Sequence, residues 1–209
     1  MAELETLFAK LAELSEKERL DPTLVPAPYS LPNIANEPFQ DWLARLTPHR
    51  REKAEVLLAI FQAFGAQEGE MWVHSEINEN IPQLSRFLML RSIWKDAHYW
   101  LEAGVLESEL KNLDWADTFE PLVGIKQAAK QVMESGLSRD VLAKFACYIA
   151  TITANNITFE LDGYQHLPPN APGFVIQERD GNGELTGYNV DGLHESFFDT
   201  DVARLPQPR

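Results

Sequence analysis

The sequence predicts an α+β protein, in which a mainly helical bundle of about five or six helices is followed by a small antiparallel β-sheet at the carboxyl end. Three observations predict it. Up to Asn156 the apolar residues recur at helical spacing, whereas Ile157, Phe159 and Leu161 alternate with polar neighbours, as do Thr186, Tyr188 and Val190 further on. Between the later runs stands Asp180-Gly181-Asn182-Gly183, whose residues accept the positive φ of a hairpin turn. With 209 residues and no evident linker, the expectation is a single domain, 1–209, with a helical part to 156 and a hairpin and acidic tail over 157–209.

Leu4, Leu7, Phe8, Leu11 and Leu14 mark an amphipathic first helix with Glu3, Glu5, Lys10, Glu13 and Glu16 on its other side. Six prolines between Asp21 and Pro48 remove backbone donors, so this stretch reads as a wrap lying on the body through Leu24, Val25, Tyr29, Leu31 and Ile34. A short helix near Phe39 to Leu46 interrupts it. Thr47-Pro48 then opens a second strong helix, with proline in the first-turn position where its missing N–H costs nothing, and Gly65 as its stop.

Residues 66–80 are acidic and mixed and read as a loop with at most one turn of structure. Pro82 opens the longest helix, to about Ala103, with a wide apolar arc and Gly104 at its end. A turn of helix over Glu107 to Leu113 follows, then a helix from Asp117-Thr118 with Leu122, Ile125, Ala129, Val132 and Met133 inward and Gly136 as stop. The helix starting at Ser138 carries Val141, Leu142, Phe145, Tyr148, Ile149 and Ile152 on one face and Ala143, Ala146, Cys147, Ala150 and Ala154 on the other. Both faces lack charge, so the expectation is a central helix covered on both sides, ending at Asn155-Asn156 and leading into the first of about three strands.

The chain carries 18 basic and 32 acidic residues, a formal charge of −14, which repels nucleic-acid backbones and anionic lipid. Residues 155–209 are the denser acid segment, with nine acids against three bases. One cysteine, Cys147, excludes an internal disulfide and fits a reducing cytoplasm. No apolar run approaches membrane-spanning length, and the first residues are acidic where a signal peptide is basic. The expectations are therefore a cytoplasmic location, no nucleic acid and no membrane as partner, and no cofactor, since neither a phosphate loop nor a dinucleotide fingerprint is present.

Asp180, Asn182, Glu184 and Asp191 superficially match a calcium loop, but Leu185 stands where a glycine is required and the flanks read as strands, so a hairpin is expected. His74, among Glu68, Glu70, Glu76 and Glu79, is the one histidine set amid several carboxylates in an expected loop. Together with His98 it forms the only candidate metal or acid–base pair. No serine elbow is present, and Cys147 sits among alanines, so no residue is assigned as catalytic. The tail combines His194, Phe197 and Phe198 with Glu195, Asp199 and Asp201, and of these the two phenylalanine rings supply contact area and the three carboxylates steer a basic partner. The leading functional expectation is a non-catalytic protein that binds another, basic, protein through those five residues. An inhibitor or immunity-type protein neutralising a basic toxin or nuclease is its concrete form. The rival readings are a hydrolase-like or metal-dependent enzyme with a site near His74 and His98, and a structural subunit of a homo-oligomer that meets its copies through the proline-rich wrap.

Overall fold

The structure, a computed structural model, describes residues 2–25, 37–113, 123–162 and 175–201. It is mostly helical with a two-stranded antiparallel sheet near the carboxyl end, the α+β class expected. The chain divides into two compact units, residues 1–91 with 158–209 and residues 92–157.

The first unit contains α1 (Ala2–Leu20), α2 (Phe39–Arg45), α3 (Pro48–Ala63), α4 (Gly69–Glu79) and the start of α5 (Gln83–His98). In α3, Ala54, Leu57, Ile60 and Phe61 fall on one stripe and are wholly buried. They meet Trp42 and Leu43 from α2, Val73 and Ile77 from α4, and Leu84 and Phe87 from α5. The rings of Phe61 and Phe87 pack edge to face at 5.3 Å, and Trp72 meets Phe87 in the same way at 5.6 Å. Leu7, Phe8 and Leu11 lay α1 against this core. Its far end is pinned by Glu18, whose carboxylate accepts from Lys53 Nζ at 2.6 Å and lies 3.1 Å from His49 Nε2.

Residues 69–79 form a helix where the sequence suggests a loop. Val73 and Ile77 lie one turn apart and point into the core, while Gly69 lets the first turn close onto Phe61 and Leu58, with its missing Cβ 3.3 Å from Leu58 Cδ1. The buried stripe is only these few residues wide, and the acids around it mask the period. Asn80, with φ 55°, ends the helix in the left-handed conformation.

The second unit comprises the end of α5, α6 (Val105–Lys111), α7 (Ile125–Glu134) and most of α8 (Arg139–Leu161). The expected start at Asp117-Thr118 and the inward Leu122 lie outside the described residues, as do Tyr29, Leu31 and Ile34 of the wrap. Of the inward set given for α7, Ala129 is buried, but Ile125 and Val132 are exposed.

Two expectations for α8 are corrected. First, it is not covered on both faces: Cys147 is buried and its alanine neighbours are half-buried, yet Phe145 is 63% and Tyr148 58% exposed. Alanine allows close backbone approach, so the small face is the one turned inward and the bulky one is left outside. Second, Ile157 to Leu161 is helix rather than strand. Thr158 continues the stripe of Ala150 and Ala154 at helical spacing and is fully buried, and Asp162 N donates to Thr158 O at 3.0 Å to close the last turn. Five residues of alternation are too short a signal to outweigh that burial.

The sheet therefore has two strands, β1 (Gln177–Arg179) and β2 (Leu185–Asn189), rather than three. Gln177 pairs with Asn189 and Arg179 with Leu185, with an irregularity between them, and Gly187, at φ 86°, lies in the irregular stretch of β2. The turn is the expected hairpin: Asp180 Oδ1 accepts from Asn182 N at 2.9 Å and Glu184 N at 3.0 Å.

The two exposures set the ranking of core mutations. Phe61→Ala should cost roughly 3 to 5 kcal/mol in urea denaturation, whereas Phe145→Ala should stay within about 0.5 kcal/mol. Equal losses would place Phe145 in a core that the structure denies it.

Candidate functional site

The segment after β2 is held by two buried charged side chains from distant parts of the chain. Asp162, at the end of α8, has its side chain 2% exposed. Its carboxylate accepts from Leu193 N at 2.8 Å and His194 N at 2.7 Å, and lies 2.6 Å from His194 Nδ1. The His194 ring in turn stacks on Phe159, with centroids 4.2 Å apart. These contacts cap a single helical turn, α9 (Leu193–Ser196), whose peptide N–H groups would otherwise be orphaned.

Arg86 of α5 supplies the second hold. Its residue is 7% exposed, Nη2 donates to Ser196 Oγ, and Nη1 donates to Gln83 Oε1 at 3.3 Å. The guanidinium also lies over the Trp72 ring at 5.8 Å. Gly192 makes room for this arrangement. A Cβ there would stand 2.7 Å from Arg86 Nη2, and its φ of 65° already favours glycine. Burial pulls the Arg86 pKa downward, while Glu195, Asp162, Asp191 and Asp199 push it back up, so the guanidinium stays charged among carboxylates.

Held this way, the segment separates the candidate binding residues by role. Phe197 is fully buried and lies with Leu193 on the inward side. Phe198, edge to face with it at 5.2 Å, is 47% exposed. Glu195 and Asp199 are exposed and Asp201 is half-buried. The Glu195 carboxylate reaches within 3.9 Å of Arg86 Nη2.

Phe198 and Asp199 form one side of a cleft of about 290 Å³ whose other side is the amino-terminal half of α4. Exposed Gln67, Glu68, Met71, Phe198 and Asp199 make its rim, and buried Gln83, Arg86, Phe87 and Ser196 its floor. Trp72 stands half-buried between them. A second hollow, of about 350 Å³, shares Ala66, Gln67, Glu68 and Met71 with the cleft and is also lined by Glu70. Among the described residues no histidine or cysteine lines the cleft, and its titratable side chains are Glu68, Arg86 and Asp199.

His74 and His98 are placed elsewhere. His74 stacks on Trp42 at 4.8 Å with Asn78 Nδ2 3.1 Å from its Nε2, and burial lowers its pKa, favouring the neutral ring. His98 belongs to the other unit, edge to face with Trp94 at 5.2 Å. Among the described residues no group of three or more histidine, cysteine or acidic side chains is arranged to hold a metal ion. Arg86, Asp162 and Trp72 escape sequence reasoning. Arg86 alone leaves a signal, as a charge beside Phe87 inside an apolar arc.

The fold and cleft define a helical protein with a clasped carboxyl-terminal segment beside an acid-rimmed, aromatic-walled groove. Comparison with protein-family models, curated proteins and solved structures finds no match for this chain.

The two helices flanking the cleft are joined by Glu76, whose Oε2 accepts from Leu84 N at 2.8 Å, and by Gln83 Nε2 donating to Ser75 Oγ at 2.7 Å. The Glu76 residue retains some exposed surface, but its carboxyl group lies deep. Burial, opposed by Lys53 and the Leu84 N–H, pushes its pKa from 4.5 to about 7. A carboxyl that binds its proton more tightly when folded stabilises the fold fully below about pH 4.5, and that contribution is lost as pH rises through about 7. The loss has a ceiling of about 3 kcal/mol. Stability should thus fall between about pH 5 and 8, and Glu76→Gln, which keeps the acceptor for Leu84 N, should flatten the curve. An unaltered slope in the variant would mean that another group titrates. Separately, Gly192→Ala should cost roughly 1 to 3 kcal/mol by forcing the left-handed conformation against Arg86. A neutral result in chemical denaturation would mean that the clasp is looser than described.

Proposed function

We propose that this protein is a non-catalytic binding protein that grips a basic segment of another protein in the cleft between α4 and the carboxyl-terminal turn. An inhibitor or immunity-type protein neutralising a basic toxin or nuclease is one concrete form of this reading. The observation that carries it is the meeting of Trp72, Met71 and Phe198 with Glu68 and Asp199 around one cleft, with Glu70 beside it and Glu195 on the same clasped turn. A lysine or arginine side chain presents an apolar stem and a cationic head. The rings and methionine suit the stem, and the carboxylates suit the head.

Two features favour tight capture. The segment bearing Phe198 and Asp199 is already fixed by Arg86 and Asp162, so little ordering cost remains at binding. The charge of −14 steers a basic partner over long range and speeds encounter. Among the described residues lining the cleft the one cation, Arg86, lies in its floor and is opposed by four carboxylates, which limits its repulsion of an incoming positive group.

Fluorescence anisotropy with short labelled peptides tests the reading. Arginine-containing peptides with apolar neighbours should bind, and matched peptides with glutamate in place of arginine should not. Phe198→Ala should weaken binding by on the order of 2 kcal/mol through faster dissociation while leaving the melting temperature nearly unchanged. Neutralising Glu68, Glu195, Asp199 and Asp201 together should instead slow association and flatten its salt dependence. Equal binding of basic and acidic peptides would overturn the proposal.

A further inference from the structure

We infer that the bulky face of α8 is the contact surface of a homodimer, with a second copy of this chain as its occupant. Val141, Phe145, Tyr148 and Ile152 follow one another at spacings of four, three and four residues, the seam spacing of paired helices, and Ile149 flanks them. They are 54%, 63%, 58%, 38% and, for Ile149, 48% exposed. The opposite face of the helix, with Cys147 at 8%, already has its packing. Together with Leu137, at 54%, the exposed seam offers at most roughly 550 Å² per copy, so a symmetric pair that covered all of it would bury about 1,100 Å², at the ~1,000 Å² threshold of a specific interface.

Charge selects the occupant. Between Val141 and Phe159 the one charged residue is Lys144, and it is already paired with Asp140 at 2.8 Å. In a chain of −14, two copies can meet on this face with no carboxylate between Val141 and Phe159 to oppose them. A basic partner finds at the edge of the seam the carboxylate of Asp140, already paired with Lys144, and an anionic lipid surface is repelled by the rest of the molecule. A second copy presents the same uncharged seam, and a twofold axis makes such a surface self-complementary. Self-association and basic-partner binding also respond to salt in opposite directions. Salt screens the repulsion between two acidic copies and strengthens the apolar contact, while it weakens capture of a basic segment.

Sedimentation velocity over roughly 1 to 300 µM protein reads the equilibrium directly. The full chain should pass from monomer to dimer with a micromolar dissociation constant, and the dimer should tighten as salt is raised from about 0.05 to 0.5 M. Phe145→Glu should weaken it at least tenfold, and so should the milder Phe145→Ser. Phe145 is solvent-exposed in the monomer, so the circular-dichroism melt of either variant at dilute protein should be unchanged. Met71→Glu at the cleft should leave the dimer intact, which keeps this test separate from that of the cleft. A monomeric mass at every concentration and salt would overturn the inference and leave the seam to a different kind of partner. A dimer that survives both Phe145 variants would overturn it as well, by placing the contact elsewhere.

Discussion

A single buried guanidinium organises the carboxyl end of this molecule. Arg86 sits in α5 between residues of the main core, and its donors reach Ser196, 110 positions later in the chain. Magnitudes identify which contact matters. A hydrogen bond from a charged donor to a buried hydroxyl contributes about 1.5 to 3 kcal/mol, whereas an ion pair with an exposed carboxylate contributes about 0 to 1. Ser196 is buried, and Glu195 is 66% exposed at 3.9 Å. The hydroxyl, with Gly192 making room for the guanidinium, is therefore the stronger tether. Glu195 is left to face solvent and whatever approaches the surface.

Asp162 completes the clasp from the other direction. Its carboxylate collects two backbone donors and the His194 ring, which is the arrangement of a helix cap, although the helix it caps is one turn long. A His–Asp pair of this kind can resemble the orienting half of a catalytic device. Here it fixes backbone, and the ring stacks on Phe159. The consequence is positional: with Leu193 and Phe197 locked inward, the chain has to turn Phe198 and Asp199 toward the cleft.

Much of this was legible in the residues, and the failures have physical causes. Thr47-Pro48, Gly65, Gly104 and the Asp180–Gly183 turn mark boundaries because each acts locally, through φ or a missing donor. The amphipathic stripe of α3 is wide enough to show its period. That of α4 is not, since Val73 and Ile77 are its only fully apolar buried side chains and acids surround them. The extension of α8 through Leu161 depends on Thr158 being buried, a tertiary fact invisible in a short alternating run. The inversion of α8, small side inward, could not be read from a helix with two uncharged faces, because hydrophobicity does not say which face finds a neighbour. For the site, Phe198, Glu195 and Asp199 were visible as aromatics among acids. Their partners across the cleft, Glu68, Met71 and Trp72, lie more than 120 residues away, and only folding brings them there.

Capture in the cleft requires the carboxyl-terminal turn to be fixed before any partner arrives, and amide hydrogen exchange measures that directly. In the isolated wild-type protein the Leu193 and His194 amides, which donate to Asp162, should exchange far more slowly than those of an open chain. Asp162→Ala, which removes both acceptor oxygens, should release both, while the amides of α3 keep their protection. Fast exchange at Leu193 and His194 in the wild type, or protection indifferent to Asp162→Ala, would contradict this, because the cleft would then lack a fixed wall.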